Sequence, residues 1–326
     1  MSNTRAYRGN QKESSYDFVI PENYLSQNLP FEPHERVNYE PYIASPDLSK
    51  VVNTALQLRR PLLLEGEPGC GKTRLAYSIA YELGYPIKEC YIQSTSKAKD
   101  LLYSFDALRR LYDIQERRID NQTELKPRKE YVTFGKLGEA ILLARSGIPS
   151  VVLIDEIDKA DIDFPNDLLL VLDRLWFKVD EVENDYRIDA LQEKKREDCL
   201  SDLPIIIITS NREKELPKPF LRRCLFYYID FPSEEQLANI LKSRFGVENL
   251  PTLFAGAIQR FWKLRTEIQW RDYPGTSEFI DWVNQLRTLD NALRPEELIS
   301  LPAGKLPFLE TLVKTSADLQ SVRKLQ

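Results

Sequence analysis

GEPGCGKT fills residues 66–73 and follows, after Glu65, on the apolar run PLLL at 61–64. Three glycines, a lysine and a threonine fall within those eight positions. Glycine enters backbone conformations closed to other residues, so successive N–H groups can turn inward around an anion. The stretch fits GxxxxGK(S/T) and lies between an expected short buried strand and an expected helix, KTRLAYSIAYEL at 72–83. That strand–loop–helix context is what gives the pattern meaning. The helix start adds partial positive charge to the loop. Lys72 is placed to reach β- and γ-phosphates, and Thr73 offers a hydroxyl to Mg²⁺. The candidate phosphate loop comprises Glu67, Pro68, Gly69, Cys70, Gly71, Lys72, Thr73 and Arg74.

Working outward, VVLIDEID at 151–158 sets two acids, Asp155 and Glu156, at the end of an apolar strand. Ligands of α/β sheets bind at that edge. Asp155 is the expected metal partner, and Glu156 the expected base for an attacking water. PIIIITSN at 204–211 is the purest strand pattern, and Asn211 at its end can orient a water. ELPKPFLRRC at 215–224 puts Arg222 and Arg223 just before the last strand, where their forks could reach a neighbouring subunit's phosphates. Tyr42 and Ile43 are candidates to pack on an adenine face. Asp158 and Asp161 read as caps or solvating groups for the next helix.

Strands expected at 61–66, 86–93, 149–158, 204–211 and 225–232 alternate with helices at 48–58, 72–83, 135–147 and 164–175. That alternation predicts a parallel sheet sandwiched by helices, an α/β domain over 39–231. Residues 1–38 read as an extended arm. From 232 to 326 the strands stop, and a small all-α lid domain is expected, opening on a capping box from Ser233 to Gln236. Further helical patterns lie near 252–268, 276–289 and 307–323. Residues 109–130 are densely charged and read as a solvated helix end with a loop, and 178–203 as a charged insertion.

Composition narrows the chemistry. Of 326 residues 42% are apolar, enough for a core, and 45 basic against 50 acidic residues leave a net charge of −5. Nonspecific nucleic-acid binding is therefore disfavoured, although Lys194, Lys195 and Arg196 form a local basic cluster. A single histidine, His34, excludes a histidine-based triad or a multi-histidine metal site. Cys70, Cys90, Cys199 and Cys224 lack metal-ligand spacing and read as free thiols in a reducing cytoplasm. No run reaches the ~20 apolar residues that a membrane span needs.

GEPGCGKT, LIDEIDKAD, ITSN and ELPKPFLRRC, followed by PGTSEFIDWV, together resemble the AAA+ ATPases, within them the MoxR group, related to the dynein and midasin module. The resemblance spans roughly 39–326 and implies a P-loop NTPase fold with ATP and Mg²⁺ as ligands. It also implies a homo-oligomeric ring, usually hexameric. Gly66, Gly69, Gly71, Lys72 and Thr73 correspond to Walker A, Asp155 and Glu156 to Walker B, and Asn211 to sensor 1. Arg223 best matches the arginine finger, with Arg222 beside it. The family's sensor 2 arginine is missing from YPGTSEFIDW, and Arg271 just upstream could substitute. Relatives act as chaperone-like remodellers, often with a von Willebrand factor A domain partner, which makes remodelling of a protein the leading functional expectation. A nucleic-acid-dependent motor or restriction-type NTPase, and a non-hydrolysing nucleotide switch or scaffold, are the alternatives.

Overall fold

A computed structural model describes residues 5–10, 14, 36–119, 126–192, 195–289 and 294–324. His34 and Lys194 lie outside the described residues. The chain forms two compact units, the first comprising Met1–Tyr39, Ala44–Glu65 and Leu75–Tyr227, the second Glu40–Ile43, Gly66–Arg74 and Tyr228–Gln326.

In chain order the first stretch gives α1 (Pro46–Leu58), β1 (Leu62–Gly66), α2 (Lys72–Leu83), β2 (Ile87–Tyr91), β3 (Tyr103–Phe105) and α3 (Ala107–Ile119). Next come β4 (Val132–Phe134), α4 (Lys136–Arg145), β5 (Val151–Asp155), α5 (Phe164–Arg174), β6 (Trp176–Lys178) and β7 (Arg187–Asp189). β8 (Ile205–Ser210), the one-turn α6 (Lys218–Leu221) and β9 (Leu225–Ile229) complete the α/β part. Five strands make one parallel sheet in the order β2-β5-β8-β1-β9, flanked by helices. Parallel neighbours need crossover connections, and the α-helices supply them.

The centre of this sheet is apolar because both faces are covered. Val151–Ile154 and Ile205–Ser210 are buried at every position. Register pairs Ile154 with Ile208 and Glu65 with Ser210, so β1, β5 and β8 end along one edge. α4 presses on the turn at 98–102, where a Cβ on Gly138 would come within 2.0 Å of the Leu102 carbonyl oxygen. Two antiparallel pairs of three-residue strands, β3 with β4 and β6 with β7, form in and beside the charged stretches 109–130 and 178–203. Residues 5–10 dock on the same unit: Tyr7 is buried, its N–H donates to Asn53 Oδ1 at 2.9 Å, and its hydroxyl shares a hydrogen with Ser78 Oγ at 2.8 Å.

The second unit is helical apart from its phosphate-loop segment and the end of β9. It carries α7 (Glu234–Phe245), α8 (Thr252–Glu267), α9 (Thr276–Leu286), α10 (Pro295–Ser300) and α11 (Ser316–Lys324). The capping box at Ser233 and Gln236 forms as expected, with Ser233 Oγ accepting from the Gln236 N–H. Phe254, Phe261, Phe279 and Trp282 are buried at its centre, so the aromatic spacing of this region makes core. The helix expected over 307–323 is instead broken: Phe308 takes a left-handed conformation, and Thr315 caps a shorter α11. None of the described helices is long and apolar enough to cross a membrane.

Candidate functional site

The loop after β1 shows why its residue types are needed. Gly69 and Gly71 have φ of +75° and +98°, conformations that side chains resist. A Cβ on Gly71 would also approach the Tyr42 ring to 3.3 Å, so Tyr42 packs directly against the loop. Ile43, by contrast, is exposed. Lys72 opens α2 and is buried, its Nζ turned back to donate to the carbonyls of Gly66 at 2.7 Å and Glu67 at 2.9 Å. The ammonium thus lies within the loop, among neutral carbonyls that an anionic phosphate oxygen can outcompete. Thr73 follows as the second residue of α2, whose first N–H groups have no partners within the helix. Pro68 contributes no N–H to the loop. Arg74 pairs with Glu40 at 2.6 Å, an exposed contact that contributes little to stability. Burial pushes the Cys70 thiol up against the opposing charge of Lys72, which leaves it a poor nucleophile.

At the sheet edge the carboxylates form a connected network. Thr209 Oγ1 donates to Asp155 Oδ1 at 2.6 Å and accepts from the Glu156 N–H at 2.8 Å. Glu156 is held in a left-handed backbone conformation, φ 59° and ψ 49°, which costs about 1–2 kcal/mol for a residue with a Cβ. Strain of this kind gathers where a side chain must be aimed. Its carboxylate accepts from Asn211 Nδ2 at 3.2 Å and pairs with Lys159 at 2.5 Å. That hydrogen bond to Glu156 pushes the Lys159 ammonium up.

Asp158 is buried and accepts from the backbone N–H groups of Asn211 at 3.1 Å and Glu213 at 2.8 Å. It therefore fixes the loop that carries Asn211, a different task from capping the next helix. Asp161, exposed, accepts from the Phe164 N–H through its backbone carbonyl. Thr209 and Lys159 were missed by sequence reading. Thr209 had a signal, as the first polar residue of an otherwise apolar run.

The two arginines before β9 are not equivalent. Arg223 is tied to Asp173 at 2.6 Å and to the Pro219 carbonyl. Arg222 is exposed, and its guanidinium has no partner among the described residues. Arg60 donates to the carbonyls of Arg222, Arg223 and Cys224, pinning the backbone from which both project. In the basic cluster, Arg196 donates to the carbonyls of Asp173 and Arg59, and burial lowers its pKa. It is thereby withdrawn from any nucleic-acid surface.

Arg271 is exposed, and the Asp318 carboxylate holds its backbone N–H at 2.6 Å. Burial alone would raise Asp318, but hydrogen bonds from Thr315, Arg271 and Asp272 bring it below the ordinary carboxylate value.

Both donor sets fit the groups the pattern implies. The loop offers a helix start and one ammonium for phosphates. The Thr73 hydroxyl of the loop and, separately, the Asp155 carboxylate of the sheet edge are each a hard oxygen ligand of the kind that Mg²⁺ prefers.

Residues 62–232 match the family described as "ATPase family associated with various cellular activities (AAA)". No curated protein matches the chain.

Proposed function

Because the chain belongs to the AAA family of ATPases, we propose that it couples ATP hydrolysis to the remodelling of a protein partner, working as a ring of identical subunits. One observation carries the hydrolytic reading. Glu156 is aimed by a strained backbone and held by Asn211, beside an Asp155 fixed through Thr209. A chain that only bound nucleotide would not need an oriented carboxylate beyond the metal ligand.

The steps follow from these residues. Lys72 and the backbone of 69–73 bind the β- and γ-phosphates. Thr73 and Asp155 are the residues that would hold magnesium, which would supply neutralisation of phosphate charge. Glu156 takes the proton of a water that Asn211 orients. The water oxygen bonds to the γ-phosphorus as the bond to the ADP oxygen breaks, and ADP and phosphate leave. Tyr42, already packed on the loop, is positioned to cover the base. Arg222 enters the neighbouring subunit's site, and Arg223, anchored on Asp173, positions it.

The likeness to the MoxR group favours a hexamer and a partner carrying a von Willebrand factor A domain, and the four thiols favour a cytoplasmic setting. The arm (1–38), ATPase (39–231) and lid (232–326) division organises this reading.

Glu156→Gln should bind ATP as the native protein does, keep its assembly and lose turnover by at least about a hundredfold. Affinity purification of that variant with ATP should retain a protein partner. Undiminished turnover removes Glu156 as the base, and recovery of nucleic acid in place of protein removes the remodelling reading.

A further inference from the structure

Arg265 is the observation that the reading above leaves unused. It lies near the end of α8, with its side chain only 7% exposed. The guanidinium stacks over the Phe231 ring at 3.7 Å and stands 5.0 Å from the Tyr273 ring centre. One nitrogen, Nη1, donates to the Pro274 carbonyl, which anchors the group within the helical part of the unit. The other, Nη2, donates to Glu67 Oε2 in the phosphate loop, 198 positions away in the chain. The next residues reinforce the approach: the Thr276 N–H donates to the Gly69 carbonyl at 3.0 Å, and Gly69 and Gly275 come too close for a Cβ on either. Arg260, the other buried arginine of this unit, donates to the Leu301 carbonyl and makes no such link.

The pair is asymmetric. Glu67 has 44% of its side chain exposed and can exchange its partner for water. Arg265 cannot, because a buried guanidinium without an anion is strongly unfavourable. Release of Glu67 therefore requires a second anion to arrive at the same loop, and phosphate oxygens accept from arginine in the same forked manner as carboxylates.

We propose that the Arg265–Glu67 ion pair is a latch that an incoming triphosphate opens, Arg265 exchanging the Glu67 carboxylate for a terminal phosphate oxygen. This rests on the reading that the loop binds nucleotide. Glu67 is then a built-in competitor of the nucleotide, and Arg265 a binding residue selective for ATP over ADP. The lid's charge comes from α8, where Arg265 faces the loop and the exposed Arg271 does not.

The test is titration of a fluorescent ATP analogue and of its ADP counterpart, with magnesium, into the full chain. Glu67→Gln should tighten ATP binding about threefold to tenfold and leave ADP nearly unchanged. Arg265→Gln should weaken ATP by about tenfold or more, with a smaller effect on ADP, and Arg265→Lys should recover part of the loss. In the double variant the gain from Glu67→Gln should vanish. ATP affinity that is unchanged or weaker in Glu67→Gln overturns the latch, as does a gain that persists without Arg265. Because Glu67 is on the exposed side of the pair, its single variant decides the matter even if Arg265→Gln folds poorly. A Lys72→Ala variant that binds ATP normally would instead sink the nucleotide reading of the loop.

Discussion

A single hydroxyl, on Thr209, ties together Asp155 and Glu156, the two acids to which catalysis is assigned in the proposed function. It is 1% exposed, donates to Asp155 and accepts from the backbone of Glu156. Valine has the same shape and no hydroxyl. Thr209→Val should therefore cost about 1–3 kcal/mol in stability, because a carboxylate oxygen loses its donor and an N–H its acceptor. Turnover should fall about tenfold or more as Asp155 and the strained turn at Glu156 lose their common support. Thr209→Ser keeps the hydroxyl and should restore most of the turnover. Thermal melting and steady-state ATPase measurements separate the two effects. Equal activity in the Val and Ser variants would show that the hydroxyl does not set the geometry.

At the scale of elements, close backbone approach explains several choices that periodicity does not reveal. Gly138 lets α4 lie against the turn at 98–102, where any Cβ would overlap the Leu102 carbonyl. Gly138→Ala raises helix propensity, which alone would stabilise α4. The overlap at 2.0 Å is with backbone, however, and cannot be relieved by a rotamer change. A net loss of about 1–3 kcal/mol is expected, read as a lower denaturation midpoint, whereas a stabilised variant would mean that α4 can slide freely. The same contrast governs what was legible in the sequence. The phosphate loop, the strand ends at Asp155 and Asn211, and the box at Ser233 were readable because each signal spans only a few residues. The paired three-residue strands were not, because so short a strand shows no alternation among charged neighbours. α10, with six residues opening on Pro295, was missed for the same reason. The break at Phe308 was hidden because a left-handed phenylalanine is set by packing and not by local preference. Arg265 and Glu67 are far apart in the chain, and no local pattern relates them.

For the whole molecule, the proposed assembly makes the two arginines a test of how subunits cooperate. Arg223 is satisfied within its own chain by Asp173, while Arg222 projects into solvent from a backbone that Arg60 clamps in three places. A side chain already paired must break that pair before it can act elsewhere, whereas an unpaired one is available at once. Arg222 is thus the better placed to act in trans, although Arg223 matches the family pattern more closely. Arg222→Ala subunits mixed into native rings should depress ATPase activity of their native neighbours, giving a loss steeper than their fraction. The same subunits should still bind ATP, since their own loop is intact. Arg223→Ala should act more mildly, and Asp173→Asn should imitate it, because both release the same anchor. If activity instead falls in simple proportion to the Arg222→Ala fraction, each subunit completes its own site. If only Arg223→Ala poisons its neighbours, the ion pair with Asp173 is one that ring closure breaks, and the roles of the two residues are exchanged.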